Sequence, residues 1–241
     1  MVRLIDILEE LVDGIREDNP FGLVLKGGTA LAIHHLPGHR ESEDLDFDIS
    51  IELRPRNSEI VGYLKERLEG LKADGMIEGF ETPKAGFAST DRYHMTVLLQ
   101  TQVRYQTKID LNYRSMPQDF EKEGQLRFYT SERMFVDKLL TFASRGALKD
   151  FYDVSMLLDN VMVKSFSGPE KLAGLVDTVI VKCSDRGMVT LFKRELRATD
   201  LRFRHLKESG VEYFVTRSLR NLRRFRNELK RGAERPGAPH Q

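Results

Sequence analysis

The stretch LKGGTALAIHHLPGHRESEDLDFDIS, residues 25–50, decides the fold of this 241-residue chain. It begins with the end of a short apolar strand, turns at Gly27 and Gly28, and continues into a helix expected to begin near Thr29. A glycine pair between a strand and a helix allows a phosphate to approach the backbone, and the helix N-terminus supplies N–H groups and a positive dipole. The stretch is not a P-loop, because its lysine, Lys26, precedes the glycines.

The end of this stretch alternates between acidic and apolar residues. In DLDFDISI, residues 44–51, the alternation places Asp44, Asp46 and Asp48 on one face of a strand. Two carboxylates two residues apart on a strand point the same way and can hold Mg²⁺, whose other ligands are usually water and substrate phosphates. Two further strands are predicted, RYHMTVLL at residues 92–99 and VRYQTKIDLNY at residues 103–113. Asp110, on the polar face of the second, is a candidate third carboxylate. Taken singly, these features are more simply explained as a tight turn and solvated strand faces, but their order along the chain is specific.

The overall composition is that of a globular protein with balanced charge. Hydrophobic residues make up 40% of the chain and charged residues 31%, with 38 Lys and Arg against 37 Asp and Glu, which argues against wholesale disorder. The single cysteine, Cys183, excludes an internal disulfide. The N-terminal stretch lacks the regions of a signal peptide, and no apolar run approaches the ~20 residues of a membrane span. We therefore expect a soluble, cytoplasmic protein.

The periodicity of apolar residues divides the chain. Strands and helices alternate in its first half, and from Ser131 onward the spacing is helical throughout. This pattern predicts an α/β (α+β) core with a mixed sheet over residues 1–128, a helical domain over 129–232 and a disordered tail over 233–241. The predicted helices cover residues 3–17, 57–73, 131–146, 147–160, 169–183, 185–197 and 211–231.

The order of these motifs resembles that of the nucleotidyltransferase superfamily, in which an apolar strand, G-[GS], a short helix and a loop precede an acid-apolar-acid-apolar strand. VLKGGTAL and DLDF fill those places, with 15 residues between Gly28 and Asp44, slightly more than is usual. Within the superfamily, KGGTAL followed by R-x-S-x-DLDF is most similar to the AbiEii/AbiGii toxins of abortive-infection and toxin–antitoxin systems, which include the MenT toxins. A second match lies in residues 136–158, which supply a lysine, an arginine and a K-D-x-x-D helix.

This resemblance implies an enzyme with the nucleotidyltransferase fold. The implied reaction is Mg²⁺-dependent transfer of a nucleoside monophosphate from an NTP to an acceptor hydroxyl, with the 3′ end of tRNA favoured as the acceptor. A toxin of this kind also implies a cognate antitoxin as partner and a role in phage defence. Two alternatives stay open: nucleotidylation of a protein or small molecule, and a nucleotide- or RNA-binding module that has lost catalysis.

The resemblance also assigns roles to individual residues. Those expected to bind the nucleotide are Lys26, Gly27, Gly28, Thr29, Ser42 and Lys138. Those expected to act in catalysis are Asp44, Asp46, Lys138, Asp150 and Asp153. Those expected to hold the metal are Asp44, Asp46 and Asp110, whereas Asp48 has no place in the motif.

Several of these assignments have simpler alternatives. Lys26 and Arg40 are at least as well explained as solvated loop charges. Asp150 and Asp153 share one face of a helix, and the pattern does not rank them. Without the family pattern, Lys138 and these aspartates would be a surface ion pair of little energetic value.

The C-terminal part of the chain is basic. Residues 201–241 contain 11 Lys and Arg against four Asp and Glu, a net charge of +7, whereas the whole chain carries +1. The predicted helix over 211–231 has an apolar stripe, and cations surround the remainder. Such a surface suits the phosphates of RNA, with Arg217, Arg220 and Arg224 as candidate contacts. A solvated helix face, or a surface that docks an acidic antitoxin, explains the pattern about as well.

Overall fold

The computed structural model describes residues 2–115, 119–162, 166–199, 203–204 and 206–233. The chain divides into two units, Met1–Thr130 and Ser131–Gln241. The predicted fold class, an α/β structure with a mixed sheet followed by helices, is confirmed. In the described ranges, no helix is both long enough and apolar enough to cross a membrane. The last helix extends to Ala233, and residues 234–241 of the predicted tail lie outside the described residues.

The first unit is built around a mixed sheet of seven strands. In chain order, its elements are α1 (Leu4–Glu17), β1 (Val24–Lys26), α2 (Gly27–Ala30), β2 (Leu45–Ser50), α3 (Asn57–Ala73), β3 (Gly79–Ser89), β4 (Arg92–Gln100), β5 (Arg104–Arg114), β6 (Phe120–Glu123) and β7 (Leu126–Tyr129). The helix α2 passes directly into a π-helical turn, Leu31–His35, and a 3₁₀ segment, Ile51–Arg56, follows β2. The strand order β3-β4-β5-β2-β1-β7-β6 places β1 and β2 in the interior of the sheet.

The acidic strand β2 is a central strand, not an edge strand. It pairs antiparallel with β1 and parallel with β5, and Leu45, Phe47 and Ile49 are completely buried on one face. The alternation predicted from the sequence is therefore present. The opposite face is less open than a solvated strand face, because Asp48 is itself buried.

Three strands of the sheet, β3, β6 and β7, are not predicted by the sequence patterns. The β3 strand contains Pro83, which cannot donate to a ladder, and its pairing with β4 shifts register between Glu81 and Lys84. The short strands β6 and β7 pair with each other, and β7 also pairs in parallel with β1, about a hundred residues earlier. Pairing over such a distance leaves no local sequence signal.

The second unit is helical in the ranges described. Its helices are α4 (Ser131–Arg145), α5 (Leu148–Leu157), α6 (Pro169–Ser184), α7 (Arg186–Ala198) and α8 (Val211–Ala233), each within two residues of a predicted boundary except at the end of α5. Aromatic rings join α4, α5, α7 and α8: Phe151 lies 5.3 Å from Phe142, 5.5 Å from Phe192 and 5.9 Å from Phe214 between ring centroids. This packing fixes α4 and α5 against each other and so positions their charged side chains.

Candidate active site

The turn from β1 into α2 brings the backbone against an acidic side chain. Gly27 has a φ of +73°, a conformation that side chains other than glycine rarely adopt. A Cβ atom at this position would lie 3.1 Å from Cγ of Asp46 and closer still to its carboxylate. The glycine is therefore required both by the backbone conformation and by the space, and it places the first turn of α2 beside the acidic strand.

Gly28, Thr29 and the following loop form a second close contact. A Cβ atom at Gly28 would lie 2.7 Å from Oγ of Ser42 and 2.8 Å from a guanidinium nitrogen of Arg40. The hydroxyl of Thr29 lies 3.0 Å from Oγ of Ser42 and donates to the backbone carbonyl of Asp44. Ser42, the serine of the S-x-D motif, is therefore hydrogen-bonded to Thr29 of α2. This contact holds the loop that precedes β2 against the glycine turn.

Arg40 and Lys26 are not solvated loop charges, which corrects that alternative. Arg40 is only 5% exposed, and its guanidinium donates to the backbone carbonyl of Glu41 at 2.8 Å. Lys26 is at the end of β1, where its ammonium lies 2.6 Å from Oδ1 of Asp48. Both cations are held by the protein next to the glycine turn or the acidic strand.

Replacing Gly27 with alanine is expected to destabilise the protein more than replacing Gly38. Both glycines have positive φ, +73° and +67°, so both variants carry the strain of that conformation, about 1–2 kcal/mol. A Cβ at Gly38 meets nothing within 4 Å, whereas at Gly27 it collides with Asp46. We expect the Gly27→Ala variant to lose roughly 1–3 kcal/mol more in denaturant unfolding. Equal losses would show that Asp46 moves aside freely.

The three candidate metal carboxylates lie on β2, or immediately before it, and on β5. Asp44 and Asp46 are half-buried, and Asp46 is the register partner of Asp110 on the parallel strand β5. The predicted approach of Asp110 to the acidic strand is therefore present in the sheet. Among the described residues, however, no group of three or more His, Cys, Asp and Glu side chains is arranged to hold a metal ion.

Asp110 is instead paired with Arg92, a residue that the sequence interpretation missed. Its guanidinium forms an ion pair with Oδ2 of Asp110. The pKa of Arg92 is raised above its ordinary value, first by this hydrogen bond and also by the charge of Asp46. A signal was available, because the alternation in RYHMTVLL places Arg92 and His94 on the polar face of β4.

Two carboxylates are nevertheless enough to fit Mg²⁺. This ion keeps several waters and is usually held by one or two carboxylates together with substrate phosphates. Asp44 and Asp46 are spaced two residues apart and are neither fully buried nor fully exposed. Their position beside the glycine turn suits an ion that also binds a nucleotide triphosphate.

Asp48 is the buried centre of an ion-pair network. Its carboxylate lies 2.6 Å from Nζ of Lys26 on β1, 3.1 Å from Nε of Arg114 on β5, and accepts a hydrogen bond of 2.6 Å from the hydroxyl of Tyr129 on β7. These partners come from three different strands. Asp48, which has no place in the motif, therefore links β2 to three other strands of the sheet.

The second unit holds the other predicted residues in a buried cluster on α4 and α5. Nζ of Lys138 lies 2.7 Å from Oδ2 of Asp153 and 3.7 Å from Oδ1 of Asp150. Arg145 binds both oxygens of Asp150, at 2.5 and 2.8 Å. Both aspartates are completely buried and Lys138 is 8% exposed. The alternative of a surface ion pair is therefore wrong.

Four of the arginines of α8 fall into two groups. Arg226 lies 2.5 Å from Asp177 of α6 and faces that helix. Arg217, Arg220 and Arg224 are exposed on the outer face, where Arg224 pairs with Glu228 and the other two have no ion-pair partner within the described ranges. The exposed ring of Tyr213 shares this face, because positions 213, 217, 220 and 224 repeat at helical spacing.

The strand order, with an acidic strand next to a glycine turn, defines a nucleotidyltransferase-like fold. JHP933 from Helicobacter pylori superposes with a TM-score of 0.70 at 17% identity, over 96% of this chain and 94% of that one. MenT4, a nucleotidyltransferase toxin of Mycobacterium tuberculosis H37Rv, superposes with a TM-score of 0.54 at 17% identity, over 95% and 90% of the two chains. At these identities the similarity shows the fold alone.

The family follows from the sequence match. The model of the nucleotidyl transferase AbiEii toxins, of type IV toxin–antitoxin systems, matches residues 8–235. The chain belongs to this family, and the predicted resemblance is confirmed. Among curated proteins, no relative matches. Membership implies an NTP substrate and a cognate antitoxin.

Proposed function

We propose that this protein is a cytoplasmic, Mg²⁺-dependent toxin that transfers a nucleoside monophosphate from an NTP to the 3′-terminal hydroxyl of tRNA. The observation that carries the proposal is the contact between the glycine turn and the acidic strand, where no side chain fits between Gly27 and Asp46. A phosphate that approaches the turn is then next to a carboxylate that can share a metal ion with it. Membership of the nucleotidyltransferase toxin family supports this chemistry.

In the proposed reaction, the acceptor hydroxyl oxygen attacks the α-phosphorus of the NTP. A new P–O bond forms, the bond from the α-phosphorus to the bridging oxygen of the β-phosphate breaks, and pyrophosphate leaves. Asp44 and Asp46 would hold Mg²⁺, which would neutralise charge on the phosphates. The N–H groups of the first turn of α2 lack partners within their own helix and would be available to a phosphate at the glycine turn.

Lys138 and Asp153 are the proposed contributors from the helical unit. The ammonium, 2.7 Å from Asp153, supplies positive charge for the phosphate groups as negative charge develops on the leaving pyrophosphate. Asp153 orients this lysine or accepts the proton of the attacking hydroxyl. Asp150, held at both oxygens by Arg145, is assigned a supporting role.

The proposed acceptor is tested by labelling. The protein is incubated with Mg²⁺, each α-labelled NTP in turn, and total tRNA, and label is expected on tRNA with one or two of the four NTPs. An Asp44→Asn variant should give no label. Labelled protein in place of tRNA would favour protein nucleotidylation, and NTP binding without any labelling would mean a binding module without catalysis.

The outer face of α8 is proposed to contact the tRNA backbone, with Tyr213 available to stack on an unpaired base. An Arg217→Gln/Arg220→Gln variant should bind tRNA several-fold more weakly. The negative slope of the logarithm of the association constant against the logarithm of salt concentration should decrease in magnitude by about 2, since each arginine contributes about one phosphate contact. The control is Lys65→Gln/Lys72→Gln on α3, which removes the same charge from another exposed surface. Equal effects in both variants would mean that only net charge matters, and no effect would leave α8 as an antitoxin surface or a solvated face.

A further inference from the structure

Asp110 and Asp46 are neighbours on parallel strands, but their surroundings differ. Asp110 is 7% exposed, and Oδ2 is bound by Arg92. Its other oxygen, Oδ1, is buried and has no hydrogen-bond partner among the described residues. A buried carboxylate oxygen without a partner is costly, so the charge of Asp110 depends on Arg92, the cation that binds its other oxygen.

We propose that Arg92 is a fixed cation that replaces a second metal ion at Asp110, so that the site binds one divalent ion, on Asp44 and Asp46. The nature of that ion rests on the proposed function, whereas the pairing of Arg92 with Asp110 does not. With Arg92 on Asp110, the other two candidate carboxylates, Asp44 and Asp46, suit one divalent ion.

The geometry suits a guanidinium that is a permanent part of the site. Arg92 begins β4, the neighbour of β5, and its side chain is half exposed, so it reaches the buried Asp110 from the solvent side. A guanidinium stays protonated at every physiological pH and needs no metal from solution. Removing it would leave Asp110 buried, charged and unpaired, with both oxygens available to a cation.

The proposal is tested by counting bound Mn²⁺ with electron paramagnetic resonance, using the full chain without nucleotide. The parent protein should bind one Mn²⁺, and Arg92→Gln should bind a second one at least tenfold more tightly than any secondary binding of the parent. Arg92→Lys keeps the charge and should bind one. The matched control is Arg104→Gln, an exposed arginine at the start of β5 that pairs with no carboxylate in the described ranges, which should also bind one.

Thermal unfolding provides a second measurement. Arg92→Gln should unfold at a lower temperature than the parent in EDTA, and Mn²⁺ should restore more of its stability than it adds to the parent. Asp110→Asn, which removes the charge that Arg92 balances, should keep the single Mn²⁺ of the parent and so tests the proposal if Arg92→Gln does not fold.

Four results would overturn the inference: two Mn²⁺ ions on the parent, no Mn²⁺ on the parent, loss of the single ion in Asp110→Asn, or no additional Mn²⁺ on a folded Arg92→Gln variant. These outcomes are distinct from failure of the proposed function, because nucleotide transfer is measured separately. A protein with the expected Mn²⁺ counts but no transfer would refute the proposed reaction and leave the role of Arg92 standing.

Discussion

Asp44→Asn is expected to reduce nucleotide transfer by about a thousandfold or more while leaving stability nearly unchanged. The loss is large because the proposed metal ion would keep only one carboxylate, and each tenfold loss of rate corresponds to about 1.4 kcal/mol of transition-state stabilisation. The effect on folding is small because the side chain is half-buried and makes no hydrogen bond or ion pair with other residues in the described ranges. Initial rates of labelling and thermal unfolding of the same preparation measure both effects.

Asp48→Asn is the matched control, on the same strand and with the same chemical change, and the opposite outcome is expected. Its carboxylate is 1% exposed and is shared by Lys26, Arg114 and Tyr129. Removing the charge leaves two cations without their partner, at a cost of about 3 kcal/mol, so the unfolding temperature should fall by roughly 10 °C. Transfer at a temperature where the variant is folded should fall less than in Asp44→Asn. If the two variants lost transfer equally, Asp48 would be part of the reacting site.

Lys138→Met is expected to stop transfer and also to destabilise the helical unit. The ammonium lies 2.7 Å from Asp153, and removing one partner of a buried ion pair typically costs about 3–5 kcal/mol. Lys138→Arg separates the two effects, because the positive charge remains but the planar guanidinium has a different reach. We expect this variant to retain most of the stability and to lose transfer by about a hundredfold. Transfer at the parent rate in Lys138→Arg would mean that the charge alone is needed.

Variants of Asp150 and Asp153, the two aspartates of this cluster, should differ in stability and in transfer rate in the same assays. Asp150→Asn and Arg145→Gln should each reduce stability, and the double variant should lose less than the sum of the two, because the residues are partners. Asp153→Asn should reduce transfer by at least about a hundredfold. Asp177→Asn is the control: this aspartate also binds two cations, Arg226 and Lys230, but it is more exposed and should cost less than about 1 kcal/mol. The reverse order, with Asp150→Asn the less active variant at equal stability, would make Asp150 the catalytic acid.

Much of the fold was predictable because the relevant signals are local. The helical spacing of apolar residues located α1, α3 and the helices of the second unit, and period-two alternation located β2, β4 and β5. The turn at Gly27 and Gly28 was also predictable from adjacent residues. The strands β3, β6 and β7 were not, because their formation depends on pairing and not on their own composition.

The same distinction between local signals and long-range pairing applies to the candidate site. The sequence by itself determined which residues form the motifs: the glycine turn, the acid-apolar-acid strand, and the lysine and aspartates of α4 and α5. Only the tertiary structure decided that Asp46 and Asp110 are register partners and that Arg92 forms an ion pair with Asp110. It also decided that Asp48 is buried and contacts residues of three other strands. The physical reason is that the direction of a side chain follows from the local period of its strand or helix, whereas its neighbours across a sheet follow from strand order. That order is set by contacts between residues far apart in the chain.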